Sequence, residues 1–166
     1  MVVDRHDVLA RRIEQELDRA YRLARAVLLD DREAEDAVQD ACLVAWQRSG
    51  SLRDADRFDP WFERIVINQC RDQLRRRQRQ RVRALTLQAA AVDGAMTPDQ
   101  ADGDLDEALA ALDIDHRLVI LLRYWRDLTA EEIANRLDLP VGTVKSRLHY
   151  ALRKMRATME ATDGRA

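Results

Sequence analysis

The feature that most constrains this chain is the stretch from Leu128 to Arg156, LTAEEIANRLDLPVGTVKSRLHYALRKMR. Thr129 is followed three residues later by Glu132. That spacing makes a capping box, in which the Thr hydroxyl accepts from the N3 backbone N–H and the Glu carboxylate reaches back to the cap. The helix so opened carries Ile133, Ala134 and Leu137 on one face, and Pro140 forbids its continuation. Asp138-Leu139-Pro140 is therefore a tight turn, and a second helix begins at Val141. There Val141, Val144, Leu148, Leu152 and Met155 recur at helical spacing and predict a core face. At about 100° per residue, Ser146, His149, Tyr150 and Arg153 point the opposite way. Thr143 lies beside them and Lys145 on the flank. From Val141 to Arg156 there are five Lys or Arg and no acid. The charge alone would suit a solvated helix in an ordinary hairpin. Cap, Pro turn and acid-free second helix together describe a helix-turn-helix whose second helix fits a major groove.

Composition narrows the rest. The chain is 46% hydrophobic but only 5% aromatic, with five Gly and three Pro in 166 residues, which suits helices and argues against an all-β fold. No apolar run approaches the roughly 20 residues that span a bilayer, and MVVDRHDVLARRIEQE lacks a signal-peptide core, so no membrane insertion is expected. Cys42 and Cys70 have no CxxC or Cys/His ligand spacing and read as reduced thiols of a cytoplasmic protein, with no metal and no cofactor. The net charge of −2 looks wrong for a DNA binder until it is mapped. Residues 30–40 hold six acids and one Arg, residues 71–83 hold seven Arg and one Asp, and residues 84–116 hold eight acids and no Lys or Arg. The charge is segregated, and segregation decides which surface meets which partner.

Read in order, residues 5–29 are helical by pattern, with Val8, Leu9, Ile13, Leu17, Tyr21, Leu23, Ala24 and Leu28 as the apolar positions. Asp30-Asp31 breaks that pattern. The next helix, EAEDAVQDACLVAWQR, turns Ala34, Ala37, Val38, Ala41, Val44 and Ala45 inward and leaves Glu33, Asp36, Gln39, Asp40 and Leu43 outside. Glu33 and Glu35 are accounted for by the helix dipole. Gln39 and Asp40 lie beyond its reach and are candidates for partner contact, with a solvated face as the plainer reading. Ser49–Phe58 has no periodicity and reads as a loop, and Asp59-Pro60 restarts the helix as cap and first-turn proline. Trp61 and Phe62 come next. Such aromatics are more often core, but one at a loop edge can stack on an exposed base. The helix then runs into RDQLRRRQRQRVR, a phosphate-binding surface by charge. A linker of small residues and acids spans about residues 84–103. From Asp104, Leu105, Leu109, Leu112, Leu118, Val119, Leu122 and Trp125 supply a core beneath the helix-turn-helix. The expected architecture is all-α: two small helical domains, 1–83 and 104–162, joined by a flexible acidic linker, 84–103.

Three motifs in this order resemble the extracytoplasmic-function sigma factors of bacterial RNA polymerase, over nearly the whole chain. EAEDAVQDACLVAW is similar to the family's polymerase-binding helix. WFERIVINQCRDQLRRR resembles its promoter-melting helix, with Asn68, Asp72 and Arg75 at the characteristic places. VGTVKSRLH is the most specific string of its second-domain signature. Cys42 stands where the family commonly has Phe, Tyr150 where a basic residue is frequent, and Pro60 before Trp61 is less usual.

The resemblance implies the function of an alternative sigma factor, not an enzyme, and a division of labour. Asp36, Gln39 and Asp40 dock on core RNA polymerase. Ser49, Gly50, Ser51, Leu52, Arg53 and Trp61, with Asn68, take a base flipped out of the minus-ten element, and Arg71, Arg75, Arg76 and Arg77 hold the backbone around it. Lys145, Ser146, His149 and Tyr150 read base edges of the minus-thirty-five element, Thr143 and Arg147 contact phosphates, and Arg153 lies where the helix diverges toward the backbone. The linker would lie in a basic channel of the polymerase. An inhibitory anti-sigma partner is usual in the family. The alternative is a self-sufficient helix-turn-helix repressor or activator, which leaves the seven Arg of the first domain unexplained.

Overall fold

The computed structural model describes residues 5–52, 54–87 and 104–163. All regular structure among them is helical. The chain forms two compact units, Met1–Thr97 and Pro98–Ala166.

In the first unit α1 (Arg5–Leu28), α2 (Asp31–Gln47) and α3 (Phe58–Leu87) pack pairwise. Asp30 ends the turn after α1 and caps α2, its side chain accepting from the Glu33 backbone N–H at 2.8 Å. The turn needs Leu29 in the left-handed region, at φ 58°. The α2 face that meets its neighbours is nearly all alanine, Ala34, Ala37, Ala41 and Ala45 with Val38. Larger side chains fill the space from the other two helices: Leu9, Ile13, Leu23 and Val27 from α1, Phe58, Phe62, Ile65, Val66 and Ile67 from α3. Phe58 and Phe62 stack at 5.5 Å between centroids, and truncating either to Ala costs about 3–5 kcal/mol in a core of this kind. Cys70 is fully buried, and burial pushes its thiol up to about 12.

Several sequence expectations are corrected here. Val8 and Leu17 are exposed, and Ala20 and Val27 take the core positions instead, because the buried stripe of α1 keeps a steady helical period that those two residues leave. The segment read as a loop holds two short 3-10 turns, Ser49–Ser51 and Ala55–Arg57. The second runs directly into α3, which starts at Phe58, so Asp59 and Pro60 sit within the first turn rather than forming a cap. That earlier start is driven by burial of Phe58, only 1% exposed. At its other end α3 runs to Leu87, past the expected boundary at residue 83. The remainder of the expected linker, residues 88–103, lies outside the described residues.

In the second unit α4 (Asp104–Ala110), α5 (Ile114–Ile120) and α6 (Ala130–Leu137) all pack on α7 (Val141–Asp163). Asp113 caps α5. Thr129 caps α6, and both halves of the capping box form: Glu132 N to Thr129 Oγ1 at 3.2 Å and Thr129 N to Glu132 Oε2 at 2.7 Å. Asp138 closes α6 in the left-handed conformation at φ 55°, and α7 starts at Val141 as its Pro turn requires. Ala108, Leu109, Leu112 and Ile120 pack with Ala151, Met155 and Leu148 of α7. Arg117, only 7% exposed, donates to the carbonyls of Leu109, Ala110 and Leu112 at 2.9, 3.2 and 2.8 Å, satisfying the last turn of α4 and tying it to α5.

Between α5 and α6 the chain makes a π turn, Leu121–Trp125, in which the Arg126 N–H donates to the Leu121 carbonyl. This turn explains one failed expectation. In a continuous α-helix Leu118, Leu122 and Trp125 share a face, but the wider turn shifts the phase. Leu121 and Leu122 are both buried and Trp125 is 42% exposed. Leu105 and Leu152 also lie outside the core, Leu105 at 53% and Leu152 at 41%, and Ala151 takes the place expected for Leu152.

Candidate nucleic-acid interface

The seven arginines of residues 71–83 do not form one surface. On one side of α3, Arg76 and Arg77 join Gln73 and Gln80 in lining a cleft of about 350 Å³ whose other wall is Glu33, Asp36, Gln39 and Asp40 of α2. Arg76 Nη1 lies 3.3 Å from Asp40 Oδ2, and Arg77 Nη1 lies 3.4 Å from Glu33 Oε2. Burial raises the Glu33 carboxyl above its ordinary value despite the opposing pull of Arg77. The α2 face expected to dock on a partner is thus exposed at Asp36 and Gln39 and crossed by cations at Asp40 and Glu33. Leu43, exposed as its place on the outer face predicts, and Trp46, which the sequence reading did not single out, are 62% and 45% exposed and continue along α2 beyond Asp36 and Gln39. The signal was present, since both fall outside the alanine stripe.

On another side of α3, Asn68, Arg71 and Arg75 come together in a cleft of about 320 Å³ with Ile65, Gln69, Asp72 and, from the end of α2, Val44 and Arg48. Asp72 holds Arg75 at 3.3 Å. Of the residues expected around a flipped base, these three meet, and Arg76 and Arg77 are corrected to the other cleft. Arg76 and Arg77 are turned toward α2, where Asp40 and Glu33 hold them, while Arg75 is held by Asp72 on the Asn68 side. Arg48 was missed because it lies far from α3 in sequence. The turn that follows Arg48 in the chain carries Ser49, Gly50, Ser51 and Leu52, with Ser51 Oγ donating to the Arg48 carbonyl at 2.7 Å, and these four residues do not line the cleft. Arg53 lies outside the described residues. Trp61 is half-buried in the first turn of α3, its ring 5.8 Å from that of Phe58, and it does not line the Asn68 cleft.

In the second unit α7 presents Lys145, Ser146, His149, Tyr150 and Arg153 to solvent, as its periodicity requires. Lys145 Nζ lies 3.7 Å from Glu131 Oε1 across the turn, an exposed pair that contributes about 0–1 kcal/mol. Ser146 Oγ donates to the Thr143 carbonyl at 3.0 Å. Arg147 is the correction here. Expected at a phosphate, its guanidinium Nη2 lies 3.1 Å from Asp115 of α5 and its Nη1 is buried, so it braces the fold. Tyr150 packs its ring on His116 of α5. No cluster of His, Cys, Asp or Glu among the described residues is arranged to hold a metal ion.

The profile of sigma-70 region 2 matches residues 12–80, and that of sigma-70 region 4 matches residues 108–157. The ECF RNA polymerase sigma factor SigL of Mycobacterium tuberculosis is 36% identical over 146 residues, covering 84% of this chain and 82% of that protein. The chain belongs to the extracytoplasmic-function sigma factors. As an alternative sigma factor it directs RNA polymerase to promoters. Its fold is shared with the sigma factor RpoE of Bartonella quintana, solved with the anti-sigma factor NepR, at a TM-score of 0.73 and 24% identity over 91% of this chain and 96% of that one. It is also similar to CnrH, solved with the cytosolic domain of CnrY, at a TM-score of 0.65 and 25% identity over 92% and 88% of the two chains. In this sigma factor the two arginine-lined clefts fall within the region 2 match, and α7 up to residue 157 within the region 4 match.

Proposed function

We propose that the sigma factor divides promoter recognition among three surfaces. The α2 face of Asp36, Gln39 and Asp40, extended by Leu43 and Trp46, docks on core polymerase. The cleft of Asn68, Arg71, Arg75 and Arg48 with the Ser49–Leu52 turn receives the minus-ten element. The outer face of α7 reads the minus-thirty-five element through Lys145, Ser146, His149 and Tyr150, with Thr143 and Arg153 on the backbone. The observation that carries this reading is the sorting of the α3 arginines. A cleft combining an exposed Asn with three Arg suits an unpaired base and its phosphates. The other cleft, where Arg76 and Arg77 are engaged by Asp40 and Glu33 and Asp36 lies exposed, suits a basic protein surface better than a nucleic acid. CnrH, the 25%-identical relative, is held by the cytosolic domain of CnrY, and a partner of that kind is proposed for this chain. The setting is the cytoplasm, where polymerase meets chromosome. Among the described residues no helix is long and apolar enough to cross a membrane.

Mobility shifts on a cognate promoter duplex with and without core polymerase test the whole. The reading expects a stable complex only with core. A self-sufficient helix-turn-helix regulator binds unaided, and full affinity without core would sink the proposal.

A further inference from the structure

Tyr150 of α7 packs against His116 of α5, with ring centroids 4.6 Å apart and planes tilted by 42°. His116 is itself held. Its Nδ1 lies 2.6 Å from Asp113 Oδ2, and its backbone N–H donates to Asp113 Oδ1 at 3.1 Å, the contact that caps α5. One residue earlier, Asp115 holds Arg147 at 3.1 Å. Two successive side chains of α5 thus grip positions 147 and 150 of α7, neighbours on one helix flank. Tyr150 nevertheless stays 47% exposed, so one side of its ring is covered and the rest is offered beside Ser146 and His149.

A tyrosine on an unsupported helix surface samples more than one χ1 well. The His116 ring removes that freedom on one side, and the Asp113 carboxylate removes the freedom of His116. We propose that His116, which lies outside the helix-turn-helix, is a positioning residue that aims Tyr150 at a base edge in the major groove. The proposal rests on the reading of α7 as the minus-thirty-five helix. A phenol so held offers a hydroxyl to a base acceptor or donor and a ring edge to a thymine methyl. Pre-ordering it lowers the entropy lost on docking, and it selects one base pair because a fixed ring reaches one place.

The test uses the full chain assembled with core polymerase, titrated on promoter duplexes carrying each single-base substitution across the minus-thirty-five element. Tyr150→Ala, His116→Ala, His116→Phe and the Tyr150/His116 double Ala variant are compared with the parent. Tyr150→Ala is expected to relax preference at one base pair by about three- to tenfold. His116→Ala is expected to relax preference at that same base pair, by a smaller factor, and to leave the other positions unchanged. His116→Phe, which keeps a ring against Tyr150, should restore most of the discrimination, and the double variant should match Tyr150→Ala. Uniform weakening by His116→Ala across the panel, or relaxation at a different base pair, overturns the positioning role while leaving the α7 reading intact. A flat panel for Tyr150→Ala removes Tyr150 as a reader and takes the proposal with it.

Discussion

Arg76 of α3 sets its Nη1 3.3 Å from Asp40 Oδ2 of α2, bridging two helices whose facing residues are otherwise acids and glutamines with Arg77. Both side chains are about half exposed, so the pair contributes about 0–1 kcal/mol and is readily exchanged for a partner's charge. It offsets the charge of Asp40 without neutralising Asp36.

Charge reversal at that face provides the first prediction. Asp36→Arg with Asp40→Arg should remove co-purification with core polymerase while helical content, read by circular dichroism, stays at the parent value. Wild-type recovery of core by the double variant would show that α2 is not the docking helix.

The sorted arginines give a second. In holoenzyme, Arg75→Ala should weaken promoter binding and shallow its salt dependence by about one unit, as expected for one lost phosphate contact. Arg76→Ala should leave that slope unchanged. Equal slopes for the two variants would mean that the Asn68 cleft and the α2 cleft both meet DNA.

On α7 the distinction is between reading and holding. Lys145→Ala should relax preference at one base pair of the minus-thirty-five element, by ~1–3 kcal/mol if the lysine pairs with a guanine edge. Arg153→Ala should weaken every sequence about equally. A base-substitution panel at several salt concentrations separates them, and a uniform loss for Lys145→Ala would make it a phosphate contact.

Acid should loosen the second unit in part through Asp113. Burial pushes its carboxyl upward, but hydrogen bonds from the His116 backbone and ring and the charge of His116 outweigh that and leave it below its ordinary value. A folded value below the unfolded one adds stability above the unfolded pKa, about 4, and that stability drains away as pH falls through the folded value. Thermal midpoints measured from neutral to strongly acid pH should therefore fall less steeply for Asp113→Asn, which keeps a capping oxygen. Parallel curves for the two proteins would count against this contribution.

The thiols give a fifth test. With Cys70 fully buried and its thiol raised to about 12, alkylation at neutral pH should reach it only on unfolding. Half-buried Cys42, also raised by burial, should react slowly in the native chain, and mass spectrometry of labelled peptides distinguishes the two.

What could be read from the residues was what is decided locally. Thr129, Glu132 and Pro140 determine the start and stop of α6 and the start of α7 within a dozen residues of one another, and periodicity alone orients Ser146, His149 and Tyr150. What could not be read depends on contacts distant in sequence. Nothing near Arg147 announces Asp115, and nothing near Arg76 announces Asp40. The burial of Arg117 depends on where α4 ends. The exposure of Trp125 was hidden for a different reason, because no propensity marks the turn that shifts it.

That π turn, Leu121–Trp125, has a consequence for how tightly the chain length itself is specified. A five-residue turn carries one residue more than an α-helix needs, and each residue rotates the succeeding chain by about 100°. Deleting any one residue there would leave every side chain of α6 and α7 chemically intact. Yet it would shorten the path into α6, and Ile133 and Leu137 would keep the buried face they now occupy only if residues 126–129 took up the difference. The count of residues across this span is therefore constrained by the packing of α6 against α7, and a missing residue is a change that no substitution can make good.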